Sequence, residues 1–590
     1  MSKFIFGLNI SSRNYLKDVL EGPSNNDRRK GKKASLRVQR LTMTSVGEII
    51  NALNGFGRFQ HYLVALLTLK SISHPFHIFG QLFMVAEEPH YCRTTWFSAV
   101  GSNLSEEERL NLTLPRKPDG SLEECFMFTP VERDLDAIVE YGLNATEKCR
   151  EGWVYPLKRE PSLVTQFDLV CDRKDLNSIS QSIFILGILV GAMVFSPLSD
   201  RFGRRPIILL SMLIQGTVGV AVTFVPNFTA YIALRFIVGA SISGSLISGI
   251  ALGAEWVETT YRPLTLIFSH VGFAAGQMVL AGLAYALRDW RKLQIVGSAP
   301  IFALLFYFWV LPESPRWLVT KGKIEEAKKL LQKAAAVNKR SIPPKTFDQL
   351  KPEKEAKSGS ILDLVRHSHL RKVTFLISTA WFANSFAYYG LSLNVGSFGL
   401  DIYLTQLIFG AVEIPARGSI FFVMQWMGRK KCQSSFLLLG GVVCLLVPVI
   451  PKDLPVVITA LAVVGKFAIA GSFTTSYVYT TELFPTVIRQ IGIAVCQMVA
   501  RVAAVSSPLA RLLEKYHPSI PLLIFGGTAI GAGTLCFFLP ETQGKELPDY
   551  LDDVIGNQNP NETDTNVLEN GHVKHNEDND ISVQTKTTRF

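Results

Sequence analysis

The side chains that could do chemistry in this sequence are ionisable groups set inside long apolar stretches. Arg501 stands in the middle of residues 488–509, a stretch with no acidic residue. A charge in hydrocarbon costs at least ~2.5 kcal/mol, so such a residue is a functional candidate by default. A guanidinium presents two parallel N–H donors that match a carboxylate and adds a fixed positive potential. Glu413 and Arg417 lie four apart, on one helical face, where they can neutralise each other. Lys466, Lys70 and His270 occupy other apolar stretches. Lys70 reads as snorkelling or pairing, and His270 as a hydrogen-bonded interior histidine. Aromatic side chains cluster in the same regions: Trp381, Phe386, Tyr388 and Tyr389 in one stretch, Phe473 and Tyr477 four apart in another, and Tyr285 at the end of a third. Flat aromatic walls suit flat aromatic acids, and tyrosine hydroxyls can bond their carboxylates. The plain alternatives are packing or lipid contact for the aromatics and a structural ion pair for Arg501.

The elements that would position these groups are membrane spans. Of the 590 residues, 48% are hydrophobic, and they concentrate in twelve runs: 61–84, 177–199, 207–225, 229–252, 264–286, 293–311, 373–395, 402–424, 433–451, 456–478, 488–509 and 519–539. At ~1.5 Å per residue, about twenty residues cross the hydrocarbon core. The expected class is therefore an all-α integral membrane protein. Its parts are a basic segment at 1–60 (1–42 expected to be disordered), a six-helix bundle at 61–311, a linker at 312–372, a second six-helix bundle at 373–539 and a polar tail at 540–590. Residues 1–42 carry no apolar signal segment.

Charge and cysteine placement set an orientation. Residues 85–176 hold 11 Lys/Arg against 18 Asp/Glu, a balance of −7, together with Cys92, Cys125, Cys149 and Cys171. The same loop carries the sequons at Asn103, Asn111 and Asn144. It reads as a glycosylated extracellular domain with two disulfides, in any of three pairings. The linker has 15 Lys/Arg against 7 Asp/Glu and residues 1–42 have 10 against 3, balances of +8 and +7. Basic loops stay cytoplasmic, which places both termini inside. Arg288, Arg291 and Lys292, in a short outer loop, run against this rule. Cys432, Cys444, Cys496 and Cys536 read as small apolar packing residues.

Polar motifs recur across the two halves. Gly203-Arg204-Arg205 returns as Gly428-Arg429-Lys430, Glu255 as Glu482, and Pro312-Glu313-Ser314 as Pro540-Glu541-Thr542, at offsets of 225, 227 and 228. A duplicated six-helix bundle, with a site at mid-membrane between the copies, follows. Asp200, Arg201, Arg204, Arg205 and Arg429 would sit at helix ends. Glu255 and Glu482, with Arg262 and Arg489 nearby, would pair across neighbouring helices and latch an inner gate. Membrane-surface anchoring is the simpler alternative.

The motifs LSDRFGRRP, LPESPRWL and LPETQG resemble the signature loops of the major facilitator superfamily. The long cysteine-bearing loop after the first span resembles that of solute carrier family 22. FGRFQ, GLDIYLTQLIFGAVEIPAR and SYVYTTELFPT are similar to its organic anion transporters that exchange nicotinate and urate. The resemblance covers about residues 43–545. It implies the major facilitator fold, with twelve transmembrane helices in two pseudo-symmetric bundles, at a plasma membrane, with an apical epithelial face as one setting. It implies substrate-binding roles for Arg501, Arg417, Lys466, Tyr285, Trp381, Tyr388, Tyr389, Phe473 and Tyr477. Anion-carrying members have Arg at the position of Arg501, and cation carriers have Asp. The chain departs from the family pattern at Ser196, at Lys70, and in residues 1–42, since the family-like start coincides with Met43.

The sequence has no phosphate loop for ATP, no embedded acid pair for a proton relay, and no catalytic constellation, metal site or cofactor motif. Its basicity is a topology signal and points to no nucleic-acid partner. Exchange of one small organic anion for another is the expected activity. A carrier of organic cations or zwitterions, and a non-transporting scaffold or receptor, are the competing readings. The terminal Thr588-Arg589-Phe590 fits a PDZ groove.

Overall fold

The computed structural model describes residues 45–86, 88–98, 104–132, 134–156, 160–340, 360–485 and 487–544. The expectations for residues 1–42, for Asn103 and for the tail with its PDZ-like end lie outside the described residues.

Ten helices are long and apolar enough to cross a membrane. They are spans 2 (Asp175–Phe202), 3 (Arg204–Ala221), 4 (Phe228–Glu255), 5 (Arg262–Ala286), 6 (Trp290–Ser298 and its short continuations to Val310), 8 (Ile402–Met427), 9 (Arg429–Leu446), 10 (Pro455–Leu483), 11 (Arg489–Ala510) and 12 (Ile520–Leu535). Several of these helices run past the apolar stretches that announce them, because polar turns at the membrane surface stay helical.

Spans 1 and 7 complete the twelve, but span 1 is broken into helices too short to count and span 7 does not meet the same criteria. Span 7 is one helix, Ser368–Leu393, with Arg371 and Lys372 in its first turn and Asn384 and several serines inside. Span 1 is broken into Arg58–Ser71, His74–Ile78 and Gly80–Met84. Pro75 lacks an N–H and cannot continue the ladder, so the chain closes with short bonds from Ile72 N to Leu69 O and from Ser73 N to Lys70 O. Spans 1 and 7 are the first helices of their repeats. Irregular or polar helices are tolerated at membrane depth where protein or a cavity covers them.

The repeat is visible in the packing. Span 2 packs on span 4, and span 8 on span 10. Between halves, span 2 meets span 11 and span 5 meets span 8. A two-fold axis along the membrane normal exchanges these two seams. Phe224, Trp309, Trp426 and Phe538, at span ends, stand largely exposed, as aromatic residues do at the lipid–water boundary.

The 85–176 loop folds on two small antiparallel pairs, Tyr91–Cys92 with Trp153–Val154 and Phe126–Phe128 with Thr146–Lys148. Of the three open pairings, the disulfides are Cys92–Cys149 and Cys125–Cys171. The second ties the loop to the start of span 2. Asn111 and Asn144 are exposed. At the linker side, Val46–Ala52 buries Val46, Ile49 and Ile50 in the same cluster as Leu318, Leu331 and Ala334 of the linker helices. Asn338 fastens that cluster, accepting from Phe59 N at 2.8 Å and donating to Leu53 O at 3.0 Å.

Candidate functional site

Spans 7, 8 and 10 bring a buried charge cluster together. Glu413 is fully buried and holds two cations: Lys466 Nζ at 2.8 Å on Oε1 and Arg417 Nη2 at 3.2 Å on Oε2. The Tyr388 hydroxyl donates to the same Oε1 at 2.6 Å, and the Lys466 ammonium lies 3.5 Å above the Tyr388 ring centroid. Lys466 also donates to Ser392 Oγ at 2.6 Å, and Arg417 donates to Thr474 Oγ1 at 3.4 Å. Glu413 is therefore not the private partner of Arg417. One carboxylate serves two cations, and the cluster keeps one net positive charge.

Arg501 lies across the seam between the halves. From span 11 its Nη1 donates to Ile188 O of span 2 at 3.0 Å and to Ser243 Oγ of span 4 at 2.9 Å. No carboxylate lies within ion-pair distance of it among the described residues. Tyr389 and Tyr477 are near enough to feel its charge. His270, from span 5, sets its ring 6.2 Å from that of Tyr477 and donates Nδ1–H to Leu266 O at 2.8 Å.

The aromatic residues join this centre. The Trp381 ring meets Tyr477 edge-on at 4.5 Å and Phe473 at 5.5 Å. Tyr388 meets Tyr389 at 5.5 Å and Phe473 at 6.0 Å. Tyr285 is elsewhere. It is 61% exposed and sits against Tyr403 at the loop-side end of the seam. It ends span 5 one helix-length from the linker side, too far along the helix to reach the charge cluster.

The sequence reading passed over a second set of buried polar groups. Arg235 of span 4 is fully buried, donates to His77 O at 2.8 Å and to Gln81 and Gln181 at 3.3 Å, and lies 4.1 Å over the Phe184 ring. Its signal was the one that marked Arg501, a cation in an apolar run without an acid. Lys70 does not snorkel and has no ion-pair partner among the described residues: it is buried, and donates to Ser245 O at 2.7 Å and Ser245 Oγ at 3.0 Å.

At the linker side, the repeated motifs build two matching knots. Gly203 and Gly428 take φ of +106° and +84° and turn the chain into spans 3 and 9. A side chain at either would strike Glu313 or Glu541. Glu313 accepts from the backbone N–H of Arg204 at 3.0 Å and Arg205 at 3.2 Å, and Glu541 from Arg429 at 3.0 Å and Lys430 at 3.2 Å. Each carboxylate caps a helix N-terminus a hundred residues away in sequence. Arg204 grips Glu255 through Nε at 3.1 Å and Nη2 at 2.9 Å, with Asp200 at 3.0 Å. Arg429 grips Glu482 at 3.0 Å through both Nε and Nη2.

This corrects the expected pairing. Glu255 and Glu482 take Arg204 and Arg429, because the glycine turns aim those guanidinium groups at the adjacent helix ends. Arg262 stands near Glu255 and Arg316 without an ion pair within 4.0 Å among the described residues. Arg489 donates to Phe484 O at 3.1 Å. Arg205 donates to Phe308 O, and Arg201 lies over the Phe202 ring at 5.3 Å. Each acid–arginine pair lies within its own half, and no ion pair joins the halves among the described residues.

A sequence profile of the family described as sugar (and other) transporter matches residues 140–552. Human solute carrier family 22 member 13 is 49% identical over 514 residues, covering 87% of this chain and 93% of that protein. Solute carrier family 22 member 6-A of Xenopus laevis is 38% identical, covering 86% of this chain and 94% of that protein. Organic anion transporter 3 of Rattus norvegicus is 38% identical, with 86% and 94% covered. Among solved structures, the E. coli xylose transporter XylE in a partially occluded inward-open conformation aligns with a TM-score of 0.56 at 16% identity, over 83% of this chain and 100% of that one. That last likeness is one of fold alone.

Proposed function

The chain belongs to solute carrier family 22, a family of transporters and not enzymes, and from that premise we propose that it carries small organic anions with a flat, aromatic body across a plasma membrane. The 85–176 loop faces outward and both termini face the cytoplasm, as the charge distribution favours. The observation that carries the reading is the charge of the crevice: Arg501, Arg417 and Lys466 against Glu413 alone leave two positive charges. Organic cations would meet net repulsion there, which argues against the cation or zwitterion reading.

The geometry supports a specific cycle. Arg501 donates to Ile188 O and Ser243 Oγ and so ties the two halves at mid-depth. An entering carboxylate offers two anionic oxygens in place of one carbonyl and one hydroxyl, and a charge-assisted bidentate pair is the stronger bond. The guanidinium turns to the cargo and the tie loosens, which frees the halves to rock. Trp381, Tyr388, Tyr389, Phe473 and Tyr477 wall the cargo. Lys466 acts through Glu413 and Tyr388, which it positions. Nicotinate- and urate-like anions, exchanged for an internal organic anion, are the cargo this reading names.

The test is uptake of labelled nicotinate, urate and a model cation into oocytes preloaded with glutamate or succinate. Wild type takes up the anions and leaves the cation. Arg501→Asp abolishes anion uptake with surface expression intact; unchanged uptake removes Arg501 from the mechanism. Absence of all uptake favours the scaffold reading.

A further inference from the structure

Each half enters its first span from a short capped helix. Before span 1 the helix is Val46–Ala52, and Ser45 and Glu48 close a capping box at its start. Before span 7 it is Ile361–Arg366, and Ser360 and Asp363 do the same. The two helices match in pattern but not in burial. Val46, Ile49 and Ile50 are covered by the linker helices. In the second helix only Leu364 is buried, on the side that packs against span 11. Ile361, Leu362 and Val365 are 58%, 70% and 58% exposed. At about 100° per residue these three fill one arc beside Leu364, with Asp363 and Arg366 on the other side. His367 takes extended backbone and turns the chain into span 7, where Phe375, two turns in, is 63% exposed. The uncovered face therefore stands at the edge of the lipid-facing surface.

The charges around it are mostly of one sign. Residues 360–372 hold Arg366, Arg371 and Lys372 against Asp363 alone, a balance of +2. All three cations are exposed, and none forms an ion pair among the described residues. Arg371 donates to Val365 O at 3.5 Å.

We infer that Ile361–Arg366 lies in the headgroup layer of the cytoplasmic leaflet, with Ile361, Leu362 and Val365 against the upper acyl chains and the three cations on anionic phospholipid headgroups. The inference rests on the reading that the linker side faces the cytoplasm. A helix with one apolar arc and basic flanks lies in the plane of such an interface. Six residues bury too little apolar area to hold there alone, so attraction between Lys or Arg and an anionic surface must add to it. The long basic side chains can lay their apolar stems on the surface and keep their charged ends among the headgroups. The bilayer is the occupant because apolar and basic groups meet here at the depth where a span begins.

The experiment uses the full chain in nanodiscs and reads amide hydrogen exchange at residues 361–367. In discs with about 30% phosphatidylserine, exchange slows about tenfold relative to discs of phosphatidylcholine alone. Arg366→Gln/Lys372→Gln removes that difference. Leu362→Ser/Val365→Ser removes the protection in either disc, with melting in detergent unchanged because both side chains lie outside the core. Equal exchange in the two discs overturns the inference, as does a difference that the Arg366/Lys372 variant retains. Equal protection in detergent also overturns it, since a protein segment would then cover the face. Both faces of the disc carry the anionic lipid, so these outcomes do not depend on the orientation of the chain, which the glycan shifts at Asn111 and Asn144 test separately.

Discussion

Glu413 is the residue on which the central charges depend. It is shared by Lys466, Arg417 and the Tyr388 hydroxyl. Removing one partner of a buried ion pair costs about 3–5 kcal/mol because the other is left uncompensated. Glu413→Gln strands two cations, so the purified carrier melts at a much lower temperature and reaches the surface poorly. Lys466→Met leaves a neutral Glu413–Arg417 pair, so it folds, and its uptake KM for anions rises because the crevice loses half its net charge. Equal melting of the two variants would contradict the shared role. Ser243 gives a sharper test of the parked guanidinium. Its hydroxyl competes with cargo for Arg501, and hydrogen bonds to charged groups contribute about 1.5–3 kcal/mol. Ser243→Ala therefore lowers the uptake KM by about fivefold or more; a KM that is unchanged or higher rules out the competition.

At the scale of elements, the two linker-side knots hold spans 3 and 9 to their neighbours. Burial alone lifts the Glu541 carboxyl, but the N–H groups of Gln543, Arg429, Lys430 and Thr542 outweigh it and hold the group below its ordinary range. Such a carboxylate stabilises the fold above its unfolded pKa and loses that stabilisation as pH falls through the folded value. For Glu313 burial prevails over similar donors and the carboxyl is raised, so its ionised form is a cost at neutral pH that acidification relieves. At pH 7, Glu541→Gln thus lowers the melting temperature more than Glu313→Gln does, and the gap closes as pH falls toward about 4. Gly428→Ala meets both a positive φ and the Glu541 carboxylate. It costs more than the usual ~1 kcal/mol of an alanine forced to φ > 0; melting indistinguishable from wild type would show that the turn tolerates a side chain.

At the scale of the molecule, ion pairs bind each half internally, while Arg501 and the aromatic contacts at the loop-side end of the seam bridge them. Two rigid bodies with few polar ties between them are suited to rocking. The 85–176 loop is held differently. Its pairs of short strands bury little, so Cys92–Cys149 and Cys125–Cys171 carry its stability across sequence separations of 57 and 46. Loss of a disulfide from a small domain costs about 2–5 kcal/mol. The Cys92→Ser/Cys149→Ser variant is therefore retained inside the cell, with its transmembrane helices still folded by protease mapping. Asn111→Gln and Asn144→Gln each remove one glycan shift on a gel if the loop faces outward; no shift for either reverses the orientation.

What the sequence determined by itself was local and additive. Apolar runs predict spans because each needs only its own length, and the repeat is legible because its motifs recur at nearly one offset. Arg501 is marked by an apolar run without an acid, and Arg235 carried the same mark. Neighbours were a different matter. Which acid Arg204 would take, which cysteines would pair, that Glu413 would serve Lys466 as well as Arg417, and that Arg501 would rest on spans 2 and 4 all depend on which helices lie side by side. The same holds for Glu313 and Glu541, visible only as repeated letters until the fold set them on distant helix ends. A side chain's partner at 3 Å is chosen by packing among segments tens to hundreds of residues apart, and no pattern along one segment encodes it.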